Sequence, residues 1–285
     1  MKGYTLTMWQ TCKNFLLTLF CLISVSHPVF SAEPVPVREN KFVIGAGFNH
    51  NSVPYTALDS RLEAVPLFDI QFGPFFAYNH NDEPVAGVEL FRHKRVMLAL
   101  AGVYGSRHLD VSEASEDQKW VYYGIEDRDR AAEMAFIFHF YSKVGLVDIM
   151  VAHDVSDQYD DFRSSISWSR PFPDTGKWTI VPRMYGRYYS IQYNDFYYGV
   201  SGSEMDDGVD IAVNQGAGDS QLRPAYEAGN AGQFGVDITI DYNFTEHFKV
   251  RGYIGLEQLA GQVTSSILVE DADIWKANLG LAYTF

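Results

Sequence analysis

The sequence predicts an all-β protein: a closed antiparallel transmembrane β-barrel of about twelve strands, with ten as the alternative count. Three observations point there. Apolar and polar residues alternate with period two over runs of 11 to 13 residues. Connections between the runs switch between tight and long. Aromatic residues gather at the run ends, as in Phe162, Phe172, Trp178, Tyr242, Phe244 and Phe248. Half-buried soluble strands alternate too, but they usually stop at five or six residues, whereas a tilted bilayer-crossing strand needs about 9–11.

Residues 1–32 read as an export signal. Lys2 and Lys13 supply the positive region, Phe15 to Val25 form an eleven-residue apolar core, and Ser-His-Pro breaks it before the small residues Ser31 and Ala32. Cleavage after either of these fits the pattern. Both cysteines, Cys12 and Cys21, lie inside this segment, and Phe20 before Cys21 does not suit lipid attachment. The mature chain would then hold no cysteine, 20 basic and 36 acidic residues, and a net charge of −16. Without disulfides, an exported chain must draw its stability from elsewhere. Glu33 to Asn40 form a short lead-in, and 41–285 form the barrel.

Twelve strands are expected near 41–49, 63–72, 74–80, 84–92, 96–104, 131–142, 145–154, 160–171, 177–189, 231–243, 247–259 and 273–285. The last shows the pattern best. Trp275, Ala277, Leu279, Leu281, Tyr283 and Phe285 share one face, and Lys276, Asn278, Gly280, Ala282 and Thr284 the other. Turns at Gly73-Pro74, Arg92–Arg95, Ser142–Gly145, Pro173–Lys177 and Asn243–His247 are tight. The intervening connections are mostly longer: 50–62, 105–130, 190–230 and 260–272. Short turns on one side and long loops on the other, with an even strand count, describe an outer-membrane barrel with both termini in the periplasm. A soluble sandwich would have to bury Arg183, Arg187, Asp237, Asp241, Lys249 and Arg251 on its second face.

Composition excludes other classes. At 47% hydrophobic and 20% charged residues, the chain is not disordered. No apolar run reaches the ~18 residues of a spanning helix. A net charge of −14 over all 285 residues lacks the basic footprint that nucleic acid requires. Eighteen Tyr, 20 Phe and 23 Gly favour strands and turns.

Several blocks carry a resemblance: Gly45-Ala46-Gly47, Val65-Pro66-Leu67-Phe68-Asp69, Tyr197-Tyr198-Gly199-Val200-Ser201, Tyr226-Glu227-Ala228-Gly229 and the closing Gly280 to Phe285. From about Phe42 to Phe285 the chain resembles the MltA-interacting protein/OmpV family of outer-membrane proteins. One departure is that Ser265-Ser266 precede Ile267 where the family often has Ser-Pro. The resemblance implies a barrel that scaffolds peptidoglycan-synthesising and peptidoglycan-cleaving enzymes, with adhesion and small-molecule uptake also proposed for members. It brings no catalytic residues.

The residues themselves offer little chemistry. The eight histidines are scattered without metal-ligand spacing, so neither metal nor cofactor is expected. The acidic run Glu204, Asp206, Asp207 and Asp210 lacks the ladder of a calcium loop and reads as solvated surface. A remote lipase reading pairs His153 with Ser164 on the outer wall, but no third group orients the imidazole. The chain is therefore not expected to be an enzyme.

What remains is an inward charge network of Arg183, Arg187, Asp237, Asp241, Lys249, Arg251 and Glu257. It should constrict the lumen, beneath a loop 190–230 made flexible by Gly199, Gly202, Gly208, Gly216 and Gly218. Centring the last hairpin on Thr245 sets Asp241 opposite Lys249. Tyr283 and Phe285 form the end that the barrel-assembly machinery would read. The expected surroundings are thus outer-membrane lipid, that machinery, and periplasmic murein-processing enzymes; a ligand-binding or small-solute transport barrel is the alternative.

Overall fold

The computed structural model describes residues 39–80, 83–172, 176–214 and 224–285. The expected signal and most of the lead-in lie outside the described residues. Twelve antiparallel strands close into one barrel: β1 (Lys41–Asn51), β2 (Arg61–Phe72), β3 (Phe75–His80), β4 (Glu83–His93), β5 (Val96–Tyr104), β6 (Ala132–Ser142), β7 (Gly145–Asp154), β8 (Phe162–Ser169), β9 (Trp178–Tyr189), β10 (Ala231–Asn243), β11 (Phe248–Gly261) and β12 (Asp273–Thr284). The count is twelve rather than ten. No helix among the described residues is long and apolar enough to cross a membrane.

Closure is made by β1 and β12, in register from Val43↔Thr284 to Asn51↔Lys276. Gly47 stands directly opposite Gly280 there, and the strands run very close. A Cβ on Gly47 would sit 2.7 Å from the Leu279 carbonyl oxygen and 2.8 Å from the Gly280 Cα. The Gly-Ala-Gly block is thus a seam requirement, because a bulky side chain there would push the closing strands apart.

Period two sorts the side chains. Phe48, Leu62, Phe136, Ile166, Phe234, Ile254, Leu279 and Leu281 project outward and exposed, as a lipid-facing wall requires. One strand departs from strict alternation. A bulge between Glu89 and Phe91 in β4 turns the consecutive Leu90 and Phe91 both outward. The inner wall is two-sided. Across β3–β7 it is largely apolar, with Phe76, Val85, Met97, Ala99, Ala101, Val103, Ala135, Ile137, Met150 and Ala152 packed together, broken by Glu83, Glu133 and Asp148. Across β8–β12 it carries most of the charge.

The tight turns and both barrel termini lie at one end, and the long connections lie at the other. The segment 190–230 differs from the glycine-loosened loop that its composition predicts. It contains two helices, α1 (Ile191–Tyr198) and α2 (Gly202–Asn214), with residues 215–223 outside the described set. Ser190 caps α1 by accepting a hydrogen bond from the Tyr193 N–H. Ser201 and Glu204 form a reciprocal box at the start of α2: Ser201 Oγ accepts from Glu204 N–H, and Glu204 Oε2 accepts from Ser201 N–H. The acidic run is accordingly a capped helix, with Glu204 ion-paired to Arg128. Gly124, at φ +74°, lies so close to Gly208 that a Cβ would meet the Gly208 nitrogen at 2.5 Å, which lets α2 pack on loop 105–131.

Phe285 closes the chain. Its N–H donates to the Phe42 carbonyl, and its ring meets Tyr283 edge-on at 4.9 Å on the lipid face. Deleting Phe285 should reduce the heat-modifiable folded form in the outer membrane; wild-type yield after the deletion would remove this residue from the assembly end.

Candidate functional site: the bore and its cap

Burying a charge is costly unless it is paired and hydrogen-bonded. The bore meets that requirement with a lattice of paired charges gathered in several groups. Arg163, reaching inward from β8, sends Nε and Nη2 to the two oxygens of Glu133 at 2.7 and 2.6 Å, and Nη2 also to Glu83 at 2.8 Å. The Tyr159 hydroxyl completes Glu133 at 2.6 Å. On the opposite wall, Glu257 accepts from the Tyr185 hydroxyl at 2.5 Å and pairs with Lys276 at 3.1 Å and Arg187 at 3.5 Å. Gln233 Nε2 bonds its second oxygen. Towards the short-turn end, Arg183 holds Asp237, and His139 pairs with Asp148 at 2.6 Å.

The inward charges expected from the sequence stand together, but their partners differ from the expected hairpin register. Asp241 is opposite Arg251, with two 2.7 Å bonds, and Lys249 is opposite Asn243 while reaching Asp241 diagonally at 3.4 Å. Thr245 Oγ1 accepts from both the His247 and Phe248 N–H groups, so the turn is centred one residue later, on Glu246. A shift of the centre by one residue moves each partner by two, which preserves the face. Sequence reasoning missed Glu83, Gln233 and Lys276. Alternation alone puts them inside, but their partners come from strands remote in sequence.

Above the lattice, the long connections interlock. Tyr55 bridges Val269, Thr56 N–H donates to Leu268, Ser266 Oγ to Tyr198, and Tyr197 OH to Asp129. Tyr189 and Tyr193 stack at 4.4 Å, with Tyr193 and Tyr197 at 4.8 Å. These tyrosines, with Leu109, Val263 and Leu268, form a second apolar core that shuts the loop end. His108 lies between Arg61 Nη1 at 2.6 Å and Arg130 Nε at 3.2 Å. Burial, then Arg61, then Arg130 lower its pKa, against the Ser106 carbonyl and Glu63, which raise it.

Two cavities in the bore are lined by described residues. One of about 440 Å³ extends from Glu63 past His139 and Arg183 to Leu146 and Ser169 near the short turns. The other, about 110 Å³, lies under the cap between Asn49, Tyr55 and Arg107. Glu63, Val65 and Arg130 line both.

His153 and Ser164 are both on the lipid-facing side of their strands, but they are not cross-strand partners. His153 pairs with Phe162 and Ser164 with Val151, and the imidazole Nδ1 rests 2.7 Å from the adjacent Asp154 carbonyl.

The family described as MltA-interacting protein MipA matches this chain over residues 44–285. The putative outer membrane protein YiaT of Escherichia coli K12 is 22% identical over 242 residues, covering 85% of this chain and 90% of that protein. The MltA-interacting protein of the same strain is 22% identical over 270 residues, covering 95% and 98%. Among solved structures, an outer membrane channel from Pseudomonas putida F1 aligns with 91% of this chain and 100% of its own, at TM-score 0.40 and 9% identity.

Two outcomes follow from the site. Arg163→Met strands two buried carboxylates and should destabilise the detergent-folded barrel by on the order of 3–5 kcal/mol. Adding Glu83→Gln and Glu133→Gln should return part of that in urea unfolding. The second concerns pH. His108 resists protonation when folded, so its contribution is complete above the ordinary imidazole value of 6.5 and is lost as pH falls from there through the lowered folded pKa. Trypsin should therefore cut loop 105–131 faster as pH drops below about 6.5, and His108→Gln should flatten that dependence.

Proposed function

Because the chain belongs to the MltA-interacting protein MipA family, we propose that this outer-membrane β-barrel is an anchor that holds murein-cleaving and murein-synthesising enzymes against the membrane from the periplasmic side. In this reading the short turns and both termini face the periplasm. The barrel-assembly machinery recognises the Tyr283–Phe285 end, and the outward apolar wall sits in lipid.

The observation that supports the reading is a bore crossed by paired charges and covered by interlocked loops. Twelve-strand barrels lie between the small ones that side chains fill and the 16–18-strand porins that hold a water channel. Here the interlocked loops and the charge lattice occupy the interior, which leaves binding at the ends as the main use of the fold. The ends differ in charge. The loop end carries Asp110, Glu113, Glu116, Asp117, Asp206 and Asp207, whereas the short-turn end exposes Lys41, Lys94, Arg95, Lys143 and Lys177. A basic rim on an acidic protein suits an acidic partner surface, through steering as well as contact. The turns are only a few residues long, so such a partner would rest on the rim as a whole.

A ligand-binding or small-solute barrel is the second reading, favoured by the two lumen cavities. A photo-crosslinking residue at Lys94 or Lys143 in intact cells should capture a murein enzyme, while one at Glu116 should not. Planar-bilayer recordings of the purified protein should show no large openings. Capture from neither turn position, together with large stable conductance, would reverse the order of the two readings.

A further inference from the structure

We infer that the chamber under the cap binds a small hydroxylated monocarboxylate, with the Arg107 guanidinium as its anion site. This stands independently of the anchoring reading, which uses the opposite end of the barrel.

The lattice below the chamber is balanced: Arg163, Arg187 and Lys276 are matched by Glu83, Glu133 and Glu257. Within the chamber wall, Arg61 pairs with Glu113 and Arg130 with Glu63. Arg107 is left over. Among the described residues no carboxylate pairs with it. Its guanidinium carbon lies 5.3 Å from the Tyr198 ring centroid, and Tyr55, Tyr189 and Tyr193 are close enough to act on its charge. A ring face attracts a cation but does not neutralise it. A half-buried guanidinium that lines the chamber with no carboxylate partner makes the chamber complementary to an anion of one negative charge.

Hydrogen bonding gives the same answer and adds detail. Polar atoms buried in a native fold are almost always bonded. Around this chamber several are not: Arg107 Nε, Arg61 Nη2, and the side-chain oxygens of Asn49 and Asn51, while the Tyr55 hydroxyl has only the Arg107 guanidinium beside it and keeps its own proton unused. Asn49 is 3% exposed and Tyr55 2% exposed, so solvent does not satisfy them from outside. The unused donors, two arginine N–H groups and a phenol, fit the oxygens of a carboxylate. The unused acceptors on Asn49 and Asn51 require a ligand that also donates, and a hydroxyl does so without adding charge. An amino acid would also donate, but its net charge is zero and would leave Arg107 uncompensated. Phosphate carries nearly two charges beside Glu63 and Glu257. A volume of about 110 Å³ limits the occupant to a few heavy atoms.

The test uses the full mature protein folded in detergent and titrated calorimetrically with lactate, acetate, glycine and inorganic phosphate. Lactate should bind. Acetate, lacking the hydroxyl, should bind roughly tenfold more weakly, the effect of one lost hydrogen bond to a buried acceptor. Glycine and phosphate should bind more weakly than lactate. Arg107→Gln should weaken lactate at least roughly tenfold, whereas Glu246→Gln in the far turn should leave it unchanged. Should Arg107→Gln fail to fold, Asn49→Asp serves in its place: an internal carboxylate should abolish lactate binding and raise the melting temperature of the empty protein. The inference is overturned if lactate does not bind, if it binds Arg107→Gln or Asn49→Asp as it binds wild type, or if glycine or phosphate binds as tightly.

Discussion

Everything in this molecule depends on the pairing of β1 with β12. In a bilayer there is no water to satisfy an unpaired backbone N–H or C=O, so an open sheet edge cannot exist there. The register from Val43↔Thr284 to Asn51↔Lys276 removes both edges at once. That single pairing brings the first and last strands together and sets both barrel termini at the short-turn end. It also explains why Gly47 faces Gly280: the strands at the seam approach too closely for a Cβ between them.

Closure creates an interior, and the interior sets a second problem. With the outward face given over to lipid, most of the polar residues within the strands turn inward. Once there, each charge must find a partner or incur the full penalty of burial. The solution is asymmetric. The wall from β3 to β7 is largely apolar and packs by shape, and the wall from β8 to β12 is ionic and packs by charge. Arg163 joins the two, reaching from β8 to Glu133 on β6 and to Glu83 at the start of β4. Replacing a buried ion pair by apolar residues is often neutral or even stabilising, so the lattice is better understood as specifying register than as a source of stability. A one-residue slip of β10 against β11 would turn either Asp237 and Asp241 or Lys249 and Arg251 into lipid.

The cap works by different physics. It lies beyond the sheet, so its backbone is tied by isolated bridges and side-chain caps, and its interior is a stack of tyrosines. Tyrosine suits this place, where a large apolar ring must end in a group able to meet a carbonyl. The result seals the loop end and leaves one small polar space beneath it. The barrel thus carries a small polar chamber under the cap at one end and a row of basic residues at the other. They are separated by the whole length of the bore.

By itself the sequence determined the strands to within a few residues, their number to twelve or ten, the tight turns and the inward or outward side of the residues in the clearest runs. The reason is that a strand's sidedness is a local, period-two property, and a bilayer makes the contrast between the two faces extreme. The helices of 190–230 were also locally written, in Ser190 before α1 and the Ser201–Glu204 box before α2, although the surrounding glycines read as flexibility. What only the tertiary structure decided is who meets whom. That Arg163 is shared by Glu83 and Glu133, that Glu257 joins Arg187 to Lys276, that Asp241 takes Arg251 directly, and that Arg107 ends among four tyrosines with no carboxylate all depend on distances across a closed ring. Such distances are fixed by strand register and loop packing together, and alternation along a single strand carries no information about either.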